Sequence, residues 1–580
     1  MALRRKEEDM LKTKFFTSLD RVFPEQDWEE TEKVAGTGTV LANERFSFQL
    51  GYRFDGAPIR MRVELAPDCC GISVRRVGRV PAEYVRPAGS DGNYERTLPG
   101  MFPDPLLPLE EGNRLRACAD GANALWITVE GEELAGENFS AQERLFPLKI
   151  RLFGEEPEGE RLMAEAEYEI TLLPHRLPVQ KTVFTQWFHG DCLALWYGIV
   201  PLSEEWWMRA EQYISCAVRN GVNMILTPVF TPPLDTPIGK ERLTVQLVDV
   251  ERSGDFADPW RVGFDNLKRW IRTCEKCGIR YFEISHLFSQ WGAAYAPKIE
   301  AKAGEKRERV FGWETRADDA AYTDFLNAFL PRLVSFLKGE GVWERCFFHV
   351  SDEPSADQLN SYRKANETVR EHIGDRPIMD AISDLSFYEN GLIDLPVCAS
   401  DHIDPFLKKR VSPLFAYYCC AQGRGVSNRF LGMPSVRNRC IGIQLYWNRV
   451  EGFLHWGYNY WLTPGSVGLL DPYAVTDCDR TFPAGDAFSV YPGAQGPVES
   501  IRQVVFYEAM QDARLLALLE QRKGRAAVEK LLEDWNWKGF ADCPDEPADF
   551  WRLRERLLED LHKSFTLSSS VFFEKEVDNK

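Results

Sequence analysis

Residues 345–355 read R-C-F-F-H-V-S-D-E-P-S. The run Cys346, Phe347, Phe348, His349, Val350 is apolar and aromatic, with the length of a buried strand. It stops at two adjacent acids, Asp352 and Glu353. Pro354 comes next, and without an N–H it cannot continue a central strand. Ser355 is placed to cap a helix over 356–371. Two carboxylates therefore sit where a core strand hands over to a helix, the edge at which alternating strand–helix folds collect their chemistry. The plain alternative is that both acids only complement the dipole of the next helix. Two features weigh against it: the hydrophobic strand before the pair, and similar strand ends elsewhere that carry Trp, His, Tyr and Asn.

Working outward, apolar runs alternate with amphipathic helical stretches. The run 183–188 precedes a helix over 203–220, with Ser203 as cap and Glu204 and Glu205 in its first turn. The run 223–230 precedes a helix over 264–278, and 280–288 precedes one over 318–338. Further short strands are expected at 377–381, 395–399, 414–420 and 452–461. Repeated β-α units imply a parallel sheet. A count near eight favours a (β/α)8 TIM-type barrel over an open doubly wound sheet. Residues before 178 read differently. Short runs at 45–52, 59–65, 71–77, 124–129, 148–153 and 164–173 are separated by Gly, Pro, Asp and Asn clusters, the pattern of an N-terminal all-β sandwich. Gly36-Thr37-Gly38 reads as a turn, and Cys69-Cys70 and Cys419-Cys420 as strand residues. The tail is helical over 502–521, 525–534 and 547–561, with a frayed polar end after Ser564. The expected division is 1–178 sandwich, 179–500 catalytic barrel and 501–580 helical segment packing on the barrel.

At 580 residues the chain is too long for one core. A formal net charge of −18, with no Lys/Arg tract, argues against nucleic acid as a partner. No stretch approaches the roughly 20 apolar residues of a membrane span. The first residues, M-A-L-R-R-K-E-E-D-M, lack an apolar leader core, so a cytoplasmic location is expected. Cys274 and Cys277 form a C-x-x-C on a helix without a second pair at zinc spacing, so neither metal nor cofactor is expected.

In a barrel, the C-terminal strand ends face one mouth. The ends here offer Trp187, His189 and Asp191; Glu283, His286 and Trp291; His349, Asp352 and Glu353; then Asp380, Asp401, His402, Tyr417 and Tyr418. Asn223 lies earlier in its strand. The last strand, G-F-L-H-W-G-Y-N-Y-W, adds His455, Trp456, Tyr458, Asn459 and Trp461. Flat rings and hydrogen-bonding groups predominate over Lys and Arg, a palette for sugars more than for phosphates.

Four motifs in order carry a resemblance: W-F-H-G-D-C at 187–192, S-D-E-P at 351–354, the last strand at 452–461, and G-D-A-F-S-V-Y-P-G at 485–493 with P-V-E-S-I-R soon after it. Together they resemble glycoside hydrolase family 123, β-N-acetylgalactosaminidases with an N-terminal β-sandwich and a (β/α)8 barrel. The family's adjacent Asp-Glu pair falls on Asp352 and Glu353. Ala487 stands where a further Gly is expected. The resemblance implies substrate-assisted retaining catalysis on a terminal 2-acetamido sugar. In it, Glu353 is the acid and base, and Asp352 orients the acetamido group and stabilises an oxazolinium ion. A charged Asp352 is expected to keep Glu353 protonated. A Tyr is needed for the acetamido carbonyl, Tyr418 first and Tyr417 in reserve, and Trp456 or Trp461 forms the wall. Trp187, His189, Asn223, His286, His349, Tyr458 and Asn459 are further candidates for substrate binding. Two alternatives stay open: a carbohydrate-binding barrel that does not cleave, and a barrel hydrolase on another sugar such as β-N-acetylglucosamine.

Overall fold

A computed structural model describes residues 11–28, 34–68, 71–136, 142–255, 258–304, 306–535, 537, 539–541 and 546–577, the last stretch without its side chains from 564 onward. Eight short strands form the central sheet: Val183–Gln186, Met224–Thr227, Tyr281–Ile284, Cys346–Phe348, Met379–Ile382, Leu395–Ala399, Phe415–Tyr417 and Gly452–His455. Strands adjacent in this order pair in parallel, and the last pairs with the first. Between the fourth strand and the fifth a single parallel bridge, from Phe348 to Ile378, closes the ring. This is the (β/α)8 barrel that the alternating pattern predicts.

Side-chain alternation divides each strand between two cores. Met224, Leu226, Met379, Val397, Phe415 and Leu454 fill the interior. Phe184, Ile225, Phe282 and Phe453 face the surrounding helices. Helix starts obey the sequence signals. Ser203 accepts a hydrogen bond from the Trp206 N–H, and Asp319 accepts one from Ala321. Ser355 opens a 3-10 turn, Ala356–Gln358, in which the Gln358 side chain accepts from the Ser355 N–H at 2.9 Å.

The N-terminal strands form two five-stranded sheets. Phe48, Leu50, Ile127, Val63, Ile150, Leu152 and Tyr168 fill the space between them. Each such side chain, fully buried, contributes about 1.5–3 kcal/mol. Strands Leu11–Thr17, Thr37–Leu41, Gly100–Leu107 and Arg114–Ala117 escape the sequence reading. Gly36-Thr37-Gly38 is not a turn: Thr37 and Gly38 begin a strand that pairs in parallel with Glu169 and Ile170. Cys419 and Cys420 lie past the end of their strand, because Phe415–Tyr417 stops three residues short of the expected limit. Cys69 and Cys70 fall outside the described residues.

The tail has helices Ile501–Lys523, Arg525–Glu533 and Pro547–Val577, the last running past the expected frayed end at Ser564. The first packs on the barrel, with Phe506 stacked at 4.4 Å on Phe184. Arg502, at its start, reaches back to the N-terminal region and holds Asp104 at 3.0 and 2.8 Å, both side chains buried.

Candidate active site

The barrel's C-terminal mouth opens on a cleft with a cavity of about 160 Å³. Trp187, Leu234, Asp235, Gln290, Trp291, Asp352, Glu353, Ala381, Tyr417, Leu454, Trp456 and Phe482 contribute to its lining, with no Lys or Arg among the described residues. A larger groove of about 1140 Å³ lies near the hairpin Val490–Glu499, away from the Asp-Glu pair.

Consecutive side chains on an extended backbone point to opposite faces. Asp352 and Glu353 both line the cleft because Glu353 is left-handed, with φ +44°. That conformation is costly for a non-glycine residue, about 1–3 kcal/mol, and a residue before proline is normally extended. Two contacts hold it. The Glu353 N–H donates to the Ala381 carbonyl at 3.2 Å, and its Oε1 accepts from the Tyr417 hydroxyl at 2.6 Å. Glu353 is exposed, whereas Asp352 is 6 % exposed. Asp352 Oδ2 accepts from Gln290 Nε2 at 2.9 Å, and its carbonyl accepts from the Trp291 N–H at 2.8 Å. Burial, and secondly the neighbouring Glu353, push the Asp352 carboxyl up to about 8. This differs from the expectation of a charged Asp352: burial disfavours the ionised form of the deeper carboxyl.

Beneath the cleft floor lies a fully buried polar chain. His349 Nε2 faces Glu283 Oε2 and its Nδ1 faces Asp380 Oδ1, each at 3.0 Å. Glu283 also accepts from the Trp187 indole at 3.0 Å and from Thr185. Asp380 accepts from the Val350 and Ser351 N–H groups at 3.2 Å and from the Tyr362 hydroxyl at 2.5 Å. Burial works against a charge on His349, but hydrogen bonds to Asp380 and Glu283 outweigh it and raise the ring to about 9. His286 stacks on His349 at 4.4 Å, and neither of its nitrogens has a hydrogen-bond partner among the described residues. Burial, reinforced by His349, holds its pKa well below the ordinary value. His286, His349 and Asp380 place three ligand-type atoms within 4.8 Å. Both His349 nitrogens are already committed to carboxylates, so this donor set suits a hydrogen-bonded imidazolium better than a metal.

The sequence candidates therefore separate. Trp187, Tyr417 and Trp456 line the cleft with the acid pair. Tyr418, one residue on, points to the other face and donates to Asn438 Oδ1 at 3.2 Å. His349 and His286 lie under the floor. His189 is tied by Nε2 to the Trp456 carbonyl at 2.9 Å and by Nδ1 to Arg242 at 3.1 Å. Asn459 brackets the His189 backbone, accepting from its N–H at 2.9 Å and donating to its carbonyl at 3.0 Å. The Tyr458 hydroxyl donates to the Tyr213 carbonyl and the Trp461 indole to the Val490 carbonyl, both inside the helix-facing core. Asn223 stands at the opposite end of the barrel, bonded to Phe184 and Thr182. Asp235, Gln290 and Phe482 escape the sequence reading. Asp235 and Phe482 lie in long loops without periodicity; Gln290 sits past a strand end whose conspicuous residues are His286 and Trp291.

The family model for the glycoside hydrolase 123 catalytic domain matches residues 187–519. Among solved structures, a family 123 glycoside hydrolase from Clostridium perfringens, described for glycolipid glycan hydrolysis, is similar over 97 % of this chain and 100 % of its own. Its TM-score is 0.71 at 14 % identity, a likeness of fold. A family 5 mannosidase from Rhizomucor miehei covers 64 % of this chain and 97 % of its own at 12 % identity, but its TM-score of 0.31 carries no argument. A search of curated proteins finds no match.

Proposed function

The chain belongs to glycoside hydrolase family 123, and from that premise we propose that it removes terminal β-linked N-acetylgalactosamine with retention, using the sugar's own acetamido oxygen as nucleophile. The observation that supports this best is the left-handed Glu353, which turns two consecutive carboxylates into one small cleft. Ordinary retaining glycosidases set their two carboxyl groups about 5 Å apart across the bond. Neighbours on one strand end suit a division in which one acid serves the leaving oxygen and the other serves the acetamido group.

In the free enzyme burial favours a proton on Asp352. When the acetamido N–H donates to Asp352, it stabilises the ionised form there and the proton rests on Glu353. Glu353 protonates the leaving oxygen as the acetamido oxygen closes on the anomeric carbon, and the C–O bond breaks. The bicyclic oxazolinium ion that results carries positive charge beside ionised Asp352. Glu353, now a base, takes a proton from water as that water opens the ring. Holding the nucleophile in place can supply about 7–11 kcal/mol in ideal cases. Tyr417, which faces the cleft where Tyr418 does not, exchanges its bond to Glu353 for the acetamido carbonyl. Trp187 and Trp456 wall the sugar, and the half-exposed Trp291 receives the leaving group.

Hydrolysis of a panel of p-nitrophenyl β-glycosides tests the proposal. The N-acetylgalactosaminide is cleaved, and the 2-hydroxy galactoside is not. Equal rates on both would contradict the mechanism, and binding without cleavage would favour a non-catalytic barrel.

A further inference from the structure

The loop after the second barrel strand, Met224–Thr227, carries Asp235 into the same cleft as the acid pair. Its backbone is firmly tied. The Leu234 carbonyl accepts from Arg242 Nη1 at 3.2 Å. The Asp235 N–H donates to Gln290 Oε1 at 2.6 Å, and the Asp235 carbonyl accepts from the Ser466 hydroxyl at 3.1 Å. The residue is left-handed, with φ +49°. Gln290 spends its other end on Asp352, so one amide fixes Asp235 and Asp352 relative to each other. The Asp235 side chain is part-exposed and lines the cleft. Burial raises Asp235 to about 6; Arg242 opposes that shift and Glu353 adds to it.

A carboxylate held in the cleft wall on a fixed backbone is a preorganised acceptor for a ligand's donor. The donors on a neutral sugar are its hydroxyl groups. We infer that Asp235 is a specificity-determining residue whose carboxylate accepts a hydrogen bond from a ring or exocyclic hydroxyl of the sugar that Asp352 holds by its acetamido group. The inference rests on the proposed function for the identity of that sugar. With three carboxylates in the lining and no cation among its described residues, the cleft takes neutral N-acetylhexosamines and rejects uronate and sulfated sugars at the same position.

The test compares wild type with Asp235→Asn, a substitution that tolerates the left-handed backbone, on p-nitrophenyl β-N-acetylgalactosaminide and its 3-, 4- and 6-deoxy analogues. Loss of a charge-assisted hydrogen bond lowers kcat/KM of the variant about 10- to 100-fold on the full substrate. On the one analogue that lacks the bonded hydroxyl, variant and wild type converge. A variant indistinguishable from wild type on the full substrate, or one that loses the same factor on all four, overturns the inference. Should wild type cleave none of them, the reaction assignment fails on its own. Calorimetric titration with N-acetylgalactosamine and its deoxy forms then reads Asp235 by Kd. The same pattern supports the inference; a flat pattern or no binding overturns it.

Discussion

Asp352 is placed where its charge is disfavoured, and that gives two predictions of opposite sign. Its carboxyl is raised from 3.8 to about 8 on folding. Between those values the folded protein holds a proton that the unfolded chain has released, so this group's contribution to stability falls as pH rises from about 4 to 8. Asp352→Asn removes that dependence. The variant melts no lower than wild type at pH 7, and its stability falls less steeply with pH, read from melting temperatures across the range. Its turnover of 2-acetamido substrates drops about 100- to 1,000-fold, the scale for losing one electrostatic stabiliser of a transition state. A helix-end charge would behave the other way, costing about 0.3–1 kcal/mol of stability and little activity. Glu353→Gln separates the partners. Only a basic leaving oxygen needs the proton, so natural glycans lose far more rate than activated aryl glycosides; equal losses would remove Glu353 from the acid role. The Asp352 proton, which acetamido binding passes on for the acid step, also sets a basic limb of kcat/KM near pH 8. The pair was legible because the acids end a hydrophobic run before a proline. Which acid lies deeper was not, since that depends on a left-handed φ that the sequence does not display.

At the scale of elements, the strand Cys346–Phe348 is short, and the segment from His349 to Ser351 is held from below. Asp380, on the next strand, binds the Val350 and Ser351 N–H groups, and Glu283, on the strand before, binds the Trp187 indole. His349 joins the two acids. Three strands and one cleft wall thus depend on one imidazolium. His349→Leu leaves two buried carboxyl groups without it, and breaking such a pair costs about 3–5 kcal/mol. The urea midpoint of this variant falls accordingly; an unchanged midpoint would show that the network does not hold the floor. Strand periodicity made the elements readable, but not which of two neighbouring side chains faces the mouth. Tyr417 and Tyr418 look equivalent in sequence, and strand alternation sends one to Glu353 and the other to Asn438. Asn223, Tyr458 and Trp461 have the chemistry of sugar ligands and serve the packing of the barrel instead.

Across the whole molecule, the β-α alternation was strong enough to announce a barrel, and the short strands before it a sandwich. The contacts between them were not legible, because Arg502 and Asp104 are nearly 400 positions apart and carry no local pattern. Among the described residues no helix is long and apolar enough to cross a membrane. The barrel's mouth is lined with carboxylates and aromatic rings, and the outcome expected of it is retention: proton NMR of the first-formed sugar shows the β anomer. Retention alone does not identify the nucleophile. The most direct measurement is kcat/KM along p-nitrophenyl β-N-acetylgalactosaminides whose acetyl group carries none, one, two and three fluorines. Each fluorine withdraws electron density from the carbonyl oxygen that is proposed to attack. Participation by the acetamido group requires a steep, monotonic fall along the series; a flat series would rule it out and, with it, the roles proposed for Asp352 and Glu353.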